Sequence, residues 1–361
     1  MNKKWLALLL AVVMIMSVFV GCAKQEAPAE EKTEEATEEK TEETTEEASG
    51  DKKKVAVFYY QYADTYISTV RAAFNEMVEK EGGIEVLEFD GMNNQATQND
   101  QIDNAISQGV DALLVNVVDT GAAQAVIDKA KEAGLPLIFW NREPDDANVY
   151  GTYEKARFIG TKIEEAGVMQ GELIKNFWAD GAVDRNGNGK LDYVLLHGGQ
   201  DNAEALARSQ YSVKALEDAG IELNKIAEAV AEWATDKAKD AMDSWLAKDK
   251  DNIDVVIANN DGMAIGAINA LQAVGLNTGE SQEKEVFVGV FGVDATEEAK
   301  DAISSKTMSG TVKQDNVAMA AALYALAKNA ANGTDFIEGT EYTYDDSGFA
   351  VRIPYAPFTG E

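Results

Sequence analysis

Histidine occurs once in this 361-residue chain, at His197, and cysteine once, at Cys22. A single cysteine leaves no internal disulfide to staple the fold. A single histidine means that a catalytic triad or a histidine-rich zinc centre would have to be built on one residue at the end of an apolar run, where a hydrogen-bonded strand-end side chain is the simpler reading. Positive charge is also scarce, with 32 Lys and Arg against 63 Asp and Glu and a net charge of −31. So acidic a chain repels the phosphodiester backbone, which excludes nucleic acid as a partner. No Gly-x-Gly-x-x-Gly follows a strand-like run and no Walker-type Gly-Lys-Ser/Thr occurs. The usual cradles for nucleotide phosphates are therefore missing.

What is present begins with a leader. Lys3 and Lys4 precede an apolar run from Trp5 to Gly21 that ends at Cys22, the layout of an export signal. The junction Phe19-Val20-Gly21-Cys22 resembles a bacterial lipoprotein signal, which implies a signal peptide over 1–21 and a lipid-modified Cys22. The other reading, an uncleaved membrane helix, has an apolar run at the short limit for a span. Both place the rest of the chain outside the cell and tethered to the membrane. Residues 23–50 hold eleven Glu, three Lys and no aromatic residue. A segment of that composition has nothing to bury and is expected to be an extended, self-repelling linker, 22–51 including the anchor. The leader carries +2 and the linker −8, which leaves −25 on residues 51–361. Some 310 residues rich in Val, Ile, Leu and Ala exceed one ordinary core, so two lobes are expected.

From residue 53 short apolar runs alternate with longer amphipathic ones: Val55 to Tyr60 then Ser68 to Lys80, Ile84 to Phe89 then Asn99 to Gln108, Ala112 to Val117 then Ala122 to Ala133, and Leu135 to Trp140. These read as βαβ units and a parallel sheet. A second series follows, with Tyr193 to Leu196, Ala227 to Trp233, Val255 to Asn259, Val286 to Phe291 and Gly310 to Val312 separated by helical stretches such as Ala203 to Ala219 and Thr235 to Ala247. The expected fold class is α/β, with two doubly wound parallel-sheet lobes. Ligands of such sheets bind at the carboxyl ends of the strands. Those ends carry Asp64, Tyr66, Asn116, Asp119, Asn141, Trp233, Asn260, Asp261 and Asp294. Taken singly, each is also explained as a helix cap, a surface charge or core packing.

One loop has a metal-binding pattern. Asp184-Arg-Asn186-Gly-Asn188-Gly-Lys190-Leu-Asp192 sets oxygen side chains at positions 1, 3, 5 and 9, glycine at 6 and a free carbonyl, that of Lys190, at 7. This is most of an EF-hand calcium loop. Position 12, where a bidentate Glu would complete it, is Leu195, so a carboxylate must come from elsewhere. An Asn/Gly-rich surface turn is the competing reading. A calcium ion here would be structural, since the loop carries no reactive group.

The stretches Tyr60-Gln-Tyr-Ala-Asp64-Thr-Tyr66, Asn99-Asp-Gln-Ile-Asp103, Phe139-Trp-Asn141-Arg-Glu-Pro144, Asp243-Ser-Trp-Leu246, Val255-Val-Ile-Ala-Asn-Asn260-Asp261, Phe291-Gly-Val-Asp294-Ala and Val351-Arg-Ile-Pro-Tyr355 together resemble the galactose/glucose-binding branch of the periplasmic-binding family. The resemblance spans residues 54–355. It implies a hinge of three crossings, near Gly160 to Lys162, Gln314 to Asn316 and Pro354 to Ala356. Lobe one would then be 52–160 and 316–353, and lobe two 161–315 and 354–361. It further implies a hexose sandwiched between Tyr66, which stands where the family has phenylalanine, and Trp233. Asp64, Asn141, Arg208, Asn260 and Asp294 would hydrogen-bond the hydroxyls. Three positions depart from the family: Asn202 replaces histidine, Glu204 replaces aspartate and Gln314 replaces asparagine. In the metal loop the resemblance supplies Asp254 as the remote carboxylate.

The implied function is capture of a hexose, D-glucose or D-galactose, and delivery to an ABC transporter permease, by a monomer that a chemoreceptor could also read. A pentose or another small polar signal is the rival ligand. A glycosidase using Asp64 and Asp294 is the rival enzyme, and would need one raised carboxyl and a fixed separation. A sugar-responsive repressor would need a basic DNA-binding head, where this chain has an acidic linker.

Overall fold

The computed structural model describes residues 52–360; the leader, Cys22, the linker to residue 51 and Glu361 lie outside the described residues. The first lobe starts with β1 (Lys53–Tyr59), α1 (Thr65–Glu81), β2 (Ile84–Asp90), α2 (Gln95–Ser107), β3 (Ala112–Val115), α3 (Ala123–Ala133), β4 (Leu137–Trp140) and β5 (Ala156–Gly160). The chain then crosses into α4 (Ile163–Trp178), β6 (Leu191–His197), α5 (Ala203–Asp218), β7 (Leu223–Val230), α6 (Thr235–Asp249), β8 (Val255–Ala258), α7 (Asp261–Ala273), β9 (Gly289–Asp294), α8 (Glu297–Ser304) and β10 (Gly310–Gln314). It returns for α9 (Asn316–Asn332) and β11 (Ala350–Arg352) and crosses a third time to end on β12 (Tyr355–Phe358).

The two six-stranded sheets run β11-β5-β4-β3-β1-β2 and β12-β10-β9-β8-β6-β7. All pairings are parallel except β10 with β12, where Gln314 lies opposite Tyr355 in antiparallel register. The architecture is thus two doubly wound α/β lobes joined by three strands of chain. Each sheet is covered on both faces: α1 and α9 pack on one side of the first sheet around Val57, Val70, Phe74 and Leu323, and α2 and α3 on the other around Phe58, Ile102, Ile127 and Phe139. Strands buried on both faces need continuous apolar runs, which is why β1, β3 and β8 read as they do.

Matching asparagines staple the strand ends of the two lobes. After β3, buried Asn116 accepts from Tyr60 N at 3.1 Å and donates to Trp140 O and Asn141 Oδ1, both at 3.0 Å. After β8, buried Asn259 accepts from Gly198 N at 3.0 Å and donates to Ser209 Oγ at 3.0 Å. Both asparagines therefore fix the loops that follow neighbouring strands, at the edge where a ligand would sit.

Several boundaries differ from those read in the sequence. Helix α1 starts at Thr65 because Asp64 caps it, accepting from Ile67 N, so Tyr66 lies on a first helical turn. Strand β7 ends at Val230, and Trp233 follows in a left-handed turn with Glu232 (φ 64° and 50°). Val286 to Val288 precede β9 without joining it.

Candidate functional site

The carboxyl edges of both sheets face one tight cavity of about 30 Å³, room for a water or two, so a ring-sized ligand enters only as the lobes part. All ten residues Asp64, Tyr66, Asn141, Asn202, Glu204, Arg208, Trp233, Asn260, Asp294 and Gln314 line it, together with Tyr60, Ile67 and Arg142.

From lobe one, Asp64 offers a carboxylate already held at two points, by Ile67 N at 2.8 Å and by the Tyr60 hydroxyl. Asn141 sits in the left-handed region (φ 59°) directly after β4, its amide oxygen anchored by Asn116. Arg142 lays its guanidinium 3.4 Å above the Tyr60 ring and donates to Val118 O at 2.9 Å. From lobe two, Asn202 and Asn260 cap α5 and α7, accepting from Ala205 N and Met263 N at 2.9 Å each. Their capping role is thus real, and the remaining amide hydrogens are what they can offer a ligand; one of those of Asn260 already reaches Trp233 O at 3.2 Å. Asp294 closes β9 with φ 126°. A non-glycine residue held there is strained, and such strain persists where the surrounding structure fixes a functional side chain.

Arg208 is the centre of the lobe-two wall and is only 3 % exposed. Helix α4 can lie close against α5 because Gly167 and Gly171 face it; a Cβ at Gly171 would sit 2.6 Å from Ser212 O. That contact fixes Arg208 on α5. Its Nη1 donates to Asn259 O at 2.8 Å and lies 3.8 Å from Asp294 Oδ1; its Nη2 donates to Gln314 Oε1 at 2.9 Å and Tyr355 Oη at 3.1 Å, and reaches Glu204 Oε2 at 3.5 Å. The Thr161 hydroxyl lies 3.0 Å from the Tyr355 hydroxyl and 3.3 Å from Glu204 Oε1. Thr161, Gln314 and Tyr355 stand on the three crossings, so one hydrogen-bonded cluster joins the cavity wall to all of them.

Burial sets the electrostatics. It pushes the Asp294 carboxyl well above its ordinary range, opposed by Arg208 and reinforced by Asp261, Asp64 and Glu204. Burial likewise raises Glu204 against the pull of Arg208. Burial alone would lower the Arg208 guanidinium, but Tyr355, Glu204 and Asp294 more than offset this and hold it above its usual value. Behind the wall, fully buried Asp261 accepts from Thr311 Oγ1 at 2.6 Å and Thr296 N at 2.8 Å, and burial pushes its carboxyl up to about 7. These groups are neutral or cationic donors as well as acceptors, a mixture suited to hydroxyls, which need both.

The loop from Asp184 to Asp192 folds on itself. Asp184 accepts from Gly187 N at 2.7 Å and Gly189 N at 2.8 Å, and both glycines have positive φ, at 73° and 80°. Asp192 Oδ2 accepts from the Asn186 and Asn188 amides at 2.6 and 2.7 Å. Asp254, the residue directly before β8, lies beside it as the remote carboxylate and accepts from Arg185 N at 2.8 Å and Asp192 N at 2.9 Å. Burial pushes Asp254 up to about 6. Lys190 directs its side chain to Glu222, outward from the loop. Among the described residues no set of three His, Cys, Asp or Glu side chains is gathered tightly enough to hold a metal without help from other donors. The donor chemistry nonetheless fits a hard dication: three carboxylates, the side-chain amide oxygens of Asn186 and Asn188, which accept from Asn188 N and Lys190 N, and the Lys190 carbonyl.

Comparison with known proteins identifies the family. Residues 55–335 match the periplasmic binding protein domain family. The chain belongs to the periplasmic binding protein family. Its relatives include the D-galactose/methyl-galactoside binding periplasmic protein MglB of Haemophilus influenzae, 38 % identical over 84 % of this chain and 88 % of that protein. Another is a putative rhizopine-binding protein of Rhizobium meliloti, 33 % identical over 71 % of this chain and 77 % of its own length. Among solved structures, an ABC transporter solute binding protein of Bacillus halodurans with bound myo-inositol superposes with a TM-score of 0.70 at 27 % identity, covering 86 % of this chain and 95 % of that one. In this periplasmic binding protein, Tyr60, Ile67 and Arg142 are the cavity residues that sequence reasoning left out. Tyr60 was absorbed into the apolar run of β1, and the sign that could have drawn it out is the cation two strands away, which no periodic pattern reports.

The pH dependence of stability follows from the raised carboxyls. The folded protein favours protonated Asp261, so the stability this group contributes is complete below its ordinary value of 3.8 and is lost as pH rises through about 7. Glu204 and Asp294 act in the same direction, while His197, lowered by burial, opposes them. With one histidine against several acids, the Tm of the ligand-free protein is expected to fall between about pH 4 and about pH 7, and Asp261→Asn to flatten that slope. A Tm that climbs across the window in differential scanning calorimetry contradicts this.

Proposed function

We propose that the chain is an extracytoplasmic solute-binding lipoprotein that closes its two lobes around one hexose, D-glucose or D-galactose, and passes it to an ABC transporter permease. The observation that carries this is the cavity wall. Buried Asp, Glu, Asn, Gln and Arg side chains from both lobes converge there with Tyr66 and Trp233, and three of their polar atoms have no partner inside the protein. Buried donors without acceptors are costly, and a small polyol supplies what they lack, its C–H faces packing on aromatic rings while its hydroxyls meet planar polar groups. The relatives named for galactose and rhizopine and the neighbour holding myo-inositol support a hydroxylated ring. Lipidation at Cys22 would keep the protein at the membrane face, and a chemoreceptor could dock on the closed form of the monomer.

A pentose is favoured as second reading by departures from the family: Glu204 and Gln314 reach one methylene further than the residues they replace, and the Tyr66 hydroxyl also takes up room. Binding without catalysis is supported by Asp64, whose two oxygens are both engaged within its own lobe, so it is poorly free to serve as a glycosidase nucleophile.

Titration calorimetry with a sugar panel tests the reading. D-glucose or D-galactose should bind, and Asp64→Ala and Trp233→Ala should each weaken binding by about 2 to 4 kcal/mol, tens- to hundreds-fold in Kd. Indifference of the parent to every hexose and pentose, or unchanged binding by both variants, defeats it.

Calcium in the Asp184 to Asp192 loop, with Asp254, is proposed as a structural element of lobe two. The ion would be held by Asp184, Asn186, Asn188, the Lys190 carbonyl, Asp192 and Asp254. A ligand that binds only the folded state raises the melting point by mass action, so a chelator should lower Tm and Asp184→Ala should abolish that response. If neither changes Tm or metal content, the loop is only a turn.

A further inference from the structure

Three buried donors on the cavity wall lack any hydrogen-bond partner: the Tyr66 hydroxyl, Arg208 Nε and Gln314 Nε2. Tyr66 comes from α1 of lobe one, whereas Arg208 and Gln314 come from α5 and the end of β10 in lobe two. All three residues line the same cavity. Gln314 Oε1 accepts from Arg208 Nη2 at 2.9 Å, which leaves the Gln314 amide nitrogen beside the guanidinium. The Tyr66 hydroxyl, only 4 % exposed as a residue, feels the charges of Asp294, Glu204 and Arg208 across the gap, and burial holds it as a neutral phenol. A phenylalanine at this position would offer a ring face alone. Tyrosine adds a polar atom that the protein leaves unsatisfied, at a cost usually tolerated only where something else completes it.

We propose that Tyr66 is a specificity-determining hydrogen-bonding residue as well as a stacking surface: its hydroxyl, with Gln314 Nε2 and Arg208 Nε, receives a vicinal pair of hydroxyl oxygens on the ligand ring. The valence count favours a pair over a single oxygen. One hydroxyl oxygen has two lone pairs and cannot serve three donors, whereas two neighbouring oxygens have four. Their two protons find acceptors on the same wall, at Glu204 and Asp294. The ligand class is thus narrowed to rings that carry adjacent hydroxyls at the edge facing lobe two, and removal of either hydroxyl is discriminated against by a buried donor left unpaired. This rests on the reading of the cavity as a polyol site.

The test is calorimetry of the parent and Tyr66→Phe against D-glucose, D-galactose, their monodeoxy forms, pentoses and myo-inositol, with the Tm of each ligand-free protein. In the parent, deoxygenation at two adjacent ring positions is expected to weaken binding roughly ten- to a hundredfold. Tyr66→Phe is expected to weaken the intact ring about tenfold and to be nearly indifferent to one of those two deoxygenations, while its own ligand-free Tm stays at or above that of the parent because an unpaired buried hydroxyl has been removed. Parent-like affinity of Tyr66→Phe for every ring overturns the inference, as does a uniform loss that leaves both deoxy penalties intact. A parent that binds no member of the panel overturns the proposed function itself, and the inference with it.

Discussion

A buried guanidinium constrains everything around it. Removing a cation from water costs several kcal/mol unless it is closely paired and hydrogen-bonded, and Arg208 at 3 % exposure meets that condition through Asn259, Gln314, Tyr355, Glu204 and Asp294. Each partner stands on a different element, so satisfying one charge fixes the end of β10, the start of β12, the turn after β8 and the first turn of α5 together. The two glycines of α4 that admit α5 at short range belong to the same requirement. Because Thr161, Gln314 and Tyr355 are the crossings themselves, the hinge and the lobe-two wall are one hydrogen-bonded body, and a ligand that engages the wall acts directly on the chain about which the lobes turn.

The second constraint is backbone strain held in place by packing. Asn141, Trp233 and Asp294 reach the cavity from positive φ, the first directly after β4, the second in the turn that follows β7 and the third as the last residue of β9. Asn116 anchors the first through its amide, Asn260 holds the carbonyl of the second, and Ala295 and Thr296 tie the third to Thr311 and Asp261. The side chains are thereby set before a ligand arrives, so less binding energy is spent on ordering them. On the opposite side of the hinge, Arg352 makes a bidentate pair with Glu143 at 2.7 and 2.8 Å and donates to Thr161 O at 2.8 Å, so that lobe one holds the first crossing as firmly as lobe two holds its end.

Much of this was legible in the residues. The alternation of doubly buried strands with amphipathic helices gave both sheets, since β1, β3, β4 and β8 are continuous apolar runs. The ten candidate cavity residues, drawn from strand ends and from family resemblance, line one cavity. Less visible were β5, β11 and β12, which are five, three and four residues long; β5 carries Arg157 and β12 Pro357, so neither reads as an apolar strand, and they form only because neighbouring strands template them. Trp233 was placed at a strand end, whereas β7 stops at Val230 and a left-handed turn delivers the ring. Left-handed non-glycine residues have no pattern in sequence, because tertiary contacts impose them. The Arg208 cluster joins residues 161, 204, 208, 314 and 355, and such long-range pairing is set by topology, which no local spacing encodes.

A small ring bound between the lobes is expected to draw them together through the crossings. Small-angle X-ray scattering of the purified protein with and without saturating sugar tests it most directly. The radius of gyration is expected to shrink with the sugar that calorimetry shows to bind and to stay unchanged with a sugar that does not. Identical profiles in the two conditions, with binding demonstrated in the same sample, would contradict it.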